Sequence, residues 1–351
     1  MFSNLQTNTK MNFGGTLRIN KFACFTLGFI LFLIIYWKTG SASVPMDKTD
    51  LINLKSLLKA AIHASESGGK RVMDGKNHAL NIKSKGKTKE GANDPVTDAD
   101  YASHCAMYYG LKNTFPKLNV ISEEHSKSDS TCENQPPFDV EKIIEGSVIV
   151  DYMNDELVYV KDVTVWIDPL DATQEYTEGL YQYVTTMVCV AIRGVPIIGV
   201  IHYPFLPQTY WGWYTKKPSA NIPGVPYKED NKEHPRVVVS RSHPGKVMEI
   251  AKEAFGPDTV VSTAAGAGYK VMGVVNGTYD IYLHATHIKK WDLCAGDAII
   301  KTVRGKMTTT KGELIDYSLD SDVKVTDGIL VTRFDHDYYL SKLPAVMPGL
   351  H

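Results

Sequence analysis

The chain has 351 residues, with 38 lysines and arginines against 39 aspartates and glutamates and 43% hydrophobic residues. Net charge near zero and the lack of a long basic run exclude a nucleic-acid polymer as the main partner, while the length is enough for one large domain, or two intimately packed ones, with a substantial core. Cys105, Cys132, Cys189 and Cys294 are widely scattered and Cys24 lies in an apolar segment, so no disulfide framework is legible.

Residues 1–21 carry Lys10, Arg18 and Lys21 and no acidic residue. Residues 22–39 read as a transmembrane signal anchor, uncharged from Phe22 to Trp37 and closed by the aromatic pair Tyr36 and Trp37. This is the short edge of the about 17 to 25 apolar residues that a spanning helix needs, and it suits the thinner membranes of the early secretory pathway. Beyond it, Lys38 and Lys48 are offset by Asp47 and Asp50, so the charge bias predicts a cytoplasmic tail, a single-pass type II topology and a lumenal body. The small-residue run Ser41-Ala42-Ser43 also permits a cleaved signal peptide. The long basic region and the length of the apolar run favour the uncleaved anchor, and either reading puts the body in the lumen or outside. Residues 40–50 are a linker.

From Leu51 to Ser65 the spacing of Leu54, Leu57, Leu58 and Ile62 predicts a helix. Asn77 to Asn93 is polar, lysine-rich and glycine-spaced, a loop or hairpin. Asp94-Pro95-Val96-Thr97-Asp98-Ala99-Asp100 then reads as a capping segment before a helix carrying Tyr101 and Met107, and Ile121-Ser122-Glu123-Glu124 closes a short apolar segment. The apolar run Val163 to Ile167 predicts a strand that ends at Asp168, because Pro169 cannot donate to a sheet ladder and turns the chain. Thr185 to Ile192, Gly194 to His202 and Thr209 to Tyr214 predict successive strands of one sheet, with turns at Arg193-Gly194 and Pro204 to Pro207. The Pro- and charge-rich stretch Asn221 to Pro235 divides the body into halves, 51–220 and 221–351. In the second, a strand-like run enters Ser240-Arg241-Ser242-His243-Pro244-Gly245, and the small-residue loop Ala264 to Lys270 enters a helix-like run, Val271 to Val275. The sequon Asn276-Gly277-Thr278 precedes a strand-like run, Tyr279 to Leu283, and Trp291-Asp292 opens an apolar helix running through Ile300.

The densest chemistry lies in Asp168-Pro169-Leu170-Asp171-Ala172-Thr173, two carboxylates three residues apart followed by a hydroxyl. Carboxylate oxygens are the ligands hard divalent cations take, so this is the layout of a metal site beside a reacting group. A solvated Asp-Pro turn with a helix cap is the plain alternative. The acidic groups at Asp94–Asp100, Glu123–Glu124 and Asp292–Asp297 weaken it, since each abuts an apolar segment leading into a core. Cys294 reads as a packed helix residue, and His284 and His287 lack partners at zinc spacing.

At these clusters the chain resembles the lithium-sensitive, magnesium-dependent phosphomonoesterases, the family of inositol monophosphatases, inositol polyphosphate 1-phosphatases and 3'-nucleotidases, over roughly residues 52 to 345. The phrases Asp168 to Glu178, Tyr183 to Cys189 and Lys289 to Asp297 look closest to its Golgi-resident branch acting on 3'-phosphoadenosine 5'-phosphate. The resemblance implies an α/β fold, an α-β-α-β-α layered sandwich, where periodicity alone gives only mixed α and β. It implies two or three Mg2+ ions held by Glu123, Asp168, the carbonyl of Leu170, Asp171 and Asp292, with Asp100 and Thr173 orienting and deprotonating the attacking water. The logic agrees, because a phosphate dianion repels an anionic nucleophile until cations neutralise it.

In the nucleotidase branch, similar segments contact the adenosine and the 5'-phosphate, which implies substrate contacts for Thr173, Ser242, His243, Gly266 and Lys270. Lys270 is the favoured partner of the second phosphate, and His243 is equally a structural hydrogen bonder. The compact turn at 276–278 implies a different pocket rim from that branch. The expected function is lumenal hydrolysis of 3'-phosphoadenosine 5'-phosphate to AMP at a Golgi membrane, relieving product inhibition of sulfation; a homodimer is left open. An inositol phosphate phosphatase is the alternative enzyme. A catalytically silent lumenal scaffold is the alternative from another class, and the presence of every matched ligand position counts against it.

Overall fold

The computed structural model describes residues 50–345 apart from 78–80, 88–92, 126–129, 144–149, 151, 207, 228–229 and 243–245. The predicted tail and anchor lie outside them, and among the described residues no helix is long and apolar enough to cross a membrane. From Thr49 onwards the chain forms one compact unit.

Helix α1 spans Leu54–Gly75, and Asn53 caps it by accepting the Lys55 amide at 2.9 Å. Leu54, Leu57, Leu58 and Ile62 are fully buried. Two details depart from the periodicity. Leu51–Asn53 pair as a strand with Leu157–Tyr159, and the helix continues past Ser65 through Gly68 and Gly69. Those glycines weaken a helix locally, yet packing requires both: a Cβ on Gly68 would meet Ser103 Oγ at 2.6 Å and Met107, and one on Gly69 would meet the His202 ring. Ser103 belongs to helix α2, Asp98–His104, which continues through a π-helical turn, Cys105–Tyr109, into a further helical segment, Gly110–Thr114. The lysine-rich segment before it forms a ladder of Lys83–Lys87 with Asn93–Val96.

The first sheet contains β1 (Asn119–Ser122), β2 (Val163–Asp171), β3 (Thr185–Ile192), β4 (Val195–Tyr203), β5 (Gln208–Trp213) and β6 (Lys217–Pro218), in the spatial order β6-β5-β4-β3-β2-β1. Only β1 runs parallel to its neighbour. The expected end of β2 at Asp168 needs correction, because the strand runs on to Asp171. Asp168 faces Met187 and Asp171 faces Thr185, so β2 carries one extra residue there. That bulge admits Pro169, and the pairing of β1 with β2 has already ended at Ile167, so no ladder bond to β1 needs its missing amide. Ala172, at φ 69°, then turns the chain into helix α3, Thr173–Thr177.

The second sheet contains β7 (Arg236–Ser240), β8 (Val260–Ala264), β9 (Ile281–His284), β10 (Lys306–Thr309) and β11 (Ile329–Thr332), in the order β8-β7-β9-β11-β10. Its helices are α4 (Val247–Phe255), α5 (Ala267–Val275), α6 (Lys290–Thr302) and α7 (His336–Lys342). A short antiparallel ladder joins Ile288–Lys289 to Lys324–Val325.

Alternation of side chains along the strands decides the layers. Val163, Val165, Ile167, Val188 and Val190 pack with α1 on one face of the first sheet. Trp166, Met187, Cys189 and Ile201 pack on the other face with α5 and α6, which also meet Tyr282, Met307 and Val331 of the second sheet. Val237, Val239, Ile281 and Leu283 turn outwards to α4 and α7. The result is an α-β-α-β-α sandwich.

The cysteine pairing, which the sequence left open, is supplied by the fold. Cys105 bonds Cys132, and Cys189 of β3 bonds Cys294 of α6. Cys294 is buried in its helix as its sequence context suggests, but covalently tied to the sheet. Separations of 27 and 105 residues explain why no pattern betrayed the pairing.

Candidate active site

Three carboxylates reach one point from three elements. Glu123 follows β1, its amide held by the Ile167 carbonyl at 3.1 Å. Asp168 sits at the start of the β2 bulge, where its Oδ1 accepts the Leu170 amide at 3.1 Å. Asp292 is the third residue of α6, and its Oδ2 accepts the Lys289 amide at 3.0 Å. One oxygen from each lies within 4.8 Å of the others.

Burial, and then the charges of Glu123, Asp171 and Asp292, push the Asp168 carboxyl well above the usual range. Asp292 is raised to about 8 by burial and then by Glu123 and Asp171. Asp168 Oδ2 is buried with no hydrogen-bond partner among the described residues. Crowded anionic oxygens with one left unsatisfied fit a hard divalent cation, which takes carboxylate oxygens and relieves their repulsion.

The fourth predicted carboxylate has another duty. Asp171 Oδ1 accepts the Ala267 amide at 3.0 Å, and its Oδ2 accepts the Gly268 amide at 2.9 Å and the Thr185 hydroxyl at 3.0 Å. It satisfies the N-terminus of α5, an arrangement the helix dipole favours. Asp171 lines the same cavity but lies outside the three-carboxylate group. Gly266, at φ 66°, makes the close approach possible, since a Cβ there would stand 2.6 Å from the Tyr183 carbonyl.

Asp100 and Thr173 meet as expected, with the Thr173 hydroxyl 3.0 Å from Asp100 Oδ1 and 3.0 Å from the Leu170 carbonyl. The other Asp100 oxygen accepts the Thr97 amide at 2.8 Å and hydroxyl at 2.6 Å, a capping box that holds the carboxylate at the start of α2. Burial raises Asp100 to about 7 against those hydrogen bonds.

Glu123, Asp168, Asp171, Thr173 and Asp292 line a cavity of about 400 Å³ that also takes in Ser242, Gly266, Lys270, Tyr282, Lys289 and Lys324, with Asp100 buried behind Thr173. His243 lies outside the described residues. Arg241 is drawn away into ion pairs with Glu175 at 3.0 Å and Glu178 at 2.9 Å, tying β7 to α3. Lys270 is 3% exposed, donates to the Gly266 carbonyl at 2.7 Å and lies over the Tyr282 ring. Burial lowers it to about 8, against the pull of Asp171 and Glu175. Its ammonium therefore serves as an internal counter-charge. The turn at 276–278 is not part of this cavity's lining; Gly277 borders a separate pocket with Val225 and Arg333.

Two cations escaped the sequence reading. Lys85, on the ladder before α2, reaches Glu123 at 3.0 Å and also pairs with Glu124. Burial opposes its charge, but the two glutamates override that and raise its pKa. Lys324 reaches the cavity from a two-residue strand. The lysine-rich character of 77–93 was the only signal for the first, and no local pattern marks the second.

Acidic ligands at strand and helix ends, beside a hydroxyl paired with a carboxylate, suit hydrolysis of phosphate esters with the help of divalent metal. The protein is a phosphoric monoester hydrolase. It belongs to the Inositol monophosphatase family, whose profile matches residues 53–346. Inositol monophosphatase 3 of Danio rerio is 44% identical over 301 residues, covering 84% of this chain and 85% of its own. The Golgi-resident adenosine 3',5'-bisphosphate 3'-phosphatase of Rattus norvegicus is 40% identical over 326 residues, covering 89% and 87%. Among solved structures, the IMPase of Thermotoga maritima shares the fold with a TM-score of 0.61 at 18% identity, over 83% of this chain and 98% of its own.

Proposed function

We propose that this enzyme is a magnesium-dependent phosphatase that removes the 3'-phosphate from 3'-phosphoadenosine 5'-phosphate, leaving AMP and phosphate. The observation that carries the reading is the Glu123–Asp168–Asp292 group opening, beside Asp100 and Thr173, into a cavity lined by lysines. The rat relative's name supports the choice of substrate. Glu123, Asp168 and Asp292, with Asp171 and the Leu170 carbonyl as further ligands, would hold Mg2+, which would supply charge neutralisation and a lowered pKa for the attacking water.

The chain's own residues do the positioning. The Thr173 hydroxyl holds the water by accepting its hydrogen bond while donating to Asp100. Asp100, poised near neutrality, receives the proton that Thr173 passes on. Ser242 and Gly266 approach the nucleoside.

The catalytic body is read as lumenal and Golgi-resident, anchored by residues 22–39, where removing the by-product of sulfotransferases would sustain sulfation. Two disulfides suit an oxidising compartment, and the relatives named Golgi-resident support the address. The sequon Asn276 and Thr278 are exposed, as a glycan acceptor must be. Inhibition by lithium is expected.

The deciding experiment compares Mg2+-dependent phosphate release by the full-length enzyme from 3'-phosphoadenosine 5'-phosphate and from inositol 1-phosphate. Preference for the inositol ester would overturn the substrate. Absence of turnover on both would favour a silent scaffold.

A further inference from the structure

We infer that Lys289 and Lys324 form a second anion subsite, which selects substrates bearing another phosphate beyond the one cleaved. The inference rests on the nucleotide bisphosphate reading above and supplies the cation that reading needs.

Lys289 and Lys324 are directly opposed across the antiparallel ladder of Ile288–Lys289 with Lys324–Val325. Residues so placed have Cβ atoms about 4.5 to 5.5 Å apart, and like charges there repel. A two-residue ladder gains little from such a pair, so the fold alone gives no reason for it. Among the described residues, neither ammonium is within ion-pair distance of an acidic side chain, although the Lys289 charge acts on Asp292. The nearest acidic neighbour in sequence, Asp322, spends Oδ1 on the Lys324 amide at 2.9 Å.

Both side chains line the cavity that holds Glu123, Asp168 and Asp292. The Lys289 amide is bonded to Asp292, so the backbone of one subsite is locked to a carboxylate of the other. Its ammonium lies 4.9 Å from the Trp291 ring centre, which steadies the long stem. Lys324 is exposed and free to close on a ligand. Two lysines opposed on one ladder and lining one cavity match a phosphate dianion, which lysine takes as a point charge. Lys270, the other cation of the cavity's inner wall, is buried and engaged with the Gly266 carbonyl. Lys85 is engaged with Glu123 and Glu124.

The test measures kcat and KM of the full-length enzyme on a nucleoside 3',5'-bisphosphate and on the matching nucleoside 3'-monophosphate, with Mg2+, for the wild type, Lys324→Gln, Lys324→Arg and Lys289→Gln. The expected result is a loss of about tenfold in kcat/KM on the bisphosphate for either glutamine variant. The loss should fall mainly on KM, with the monophosphate changed less than about twofold and Lys324→Arg close to wild type. Lys324→Gln should leave Tm unchanged or higher, since it removes a repulsion. Equal losses on both substrates, or an undiminished bisphosphate preference in both glutamine variants, would overturn the subsite while leaving the nucleotidase reading intact. A wild-type enzyme that cleaves inositol 1-phosphate but neither nucleotide would overturn both.

Discussion

The Thr173 hydroxyl has one proton and two acceptors, Asp100 Oδ1 and the Leu170 carbonyl, each at 3.0 Å. Donation to Asp100 leaves the threonine oxygen, at the cavity wall, able to accept a hydrogen bond from a water. Donation to Leu170 would leave Asp100 to hold its own proton. In the relay proposed above, the state of the pair therefore depends on the ionisation of Asp100.

Asp100→Asn should lower kcat by a factor on the order of 10² to 10⁴, the usual worth of a positioned acid–base group. An asparagine oxygen can still accept from Thr97, so the helix cap survives and far-UV circular dichroism should be unchanged. Activity within twofold of wild type would remove Asp100 from the relay. Thr173→Val should show a comparable loss.

Asp168 and Asp171 should respond oppositely in the absence of metal. Asp168→Asn removes one of three crowded carboxylates and should raise Tm in EDTA while abolishing the stabilisation produced by added Mg2+. Asp171→Ala strips the α5 N-terminus of its partner for two amides and the Thr185 hydroxyl. It should lower stability in EDTA by roughly 2 kcal/mol or more, from the lost cap and the donors left unpaired. Thermal melts of the two variants in EDTA and in Mg2+ separate these roles.

His202 gives a signed pH dependence. Its Nδ1 lies 3.0 Å from the Thr209 hydroxyl, which itself donates to Glu66 at 2.6 Å, so Nδ1 is the nitrogen that donates. Burial lowers the pKa from 6.5 to about 4. The unfolded chain then binds more protons between those values, and stability is fully present above about 6.5 and lost as pH falls towards 4. The loss is on the order of 2–3 kcal/mol for this group. Melts from pH 7.5 to 4.5 should show a shallower decline for His202→Gln than for the wild type, and identical slopes would refute the assignment.

The Cys189–Cys294 bond closes a separation of 105 residues and joins β3 to the helix that bears Asp292. Chain-entropy arguments put such a bridge at about 4–5 kcal/mol. Cys189→Ser should lower Tm and weaken Mg2+ affinity together, through looser placement of Asp292, whereas Cys132→Ser should lower Tm with little effect on Mg2+.

The strands and the carboxylates at their ends were largely legible because both are local. A β-strand repeats every second residue and α6 every third or fourth, and the spacing of Asp168, Asp171 and Thr173 lies within one turn of chain. Chemistry at that range favours a metal site over a solvated Asp-Pro turn, and the resemblance carried the order of the layers. The expected turn at Pro169 was a local rule overridden by tertiary pairing, since a bulge let β2 continue to Asp171.

What local spacing could not decide was which charge meets which. Lys85 and Glu123 are 38 residues apart, Asp171 and Gly268 are 97 apart, and Cys189 and Cys294 are 105 apart. Lys85 meets Glu123 from the ladder before α2, and the other two pairings follow from how the two sheets close on α5 and α6, where burial removes the screening water and makes an unpaired charge costly. The residue types pointed to a metal site beside a hydroxyl, and the resemblance carried by those motifs announced a phosphatase. Only the packed interior determined that Asp171 also holds a helix end, that Lys270 is a counter-charge, and that Lys289 and Lys324 stand together at the cavity.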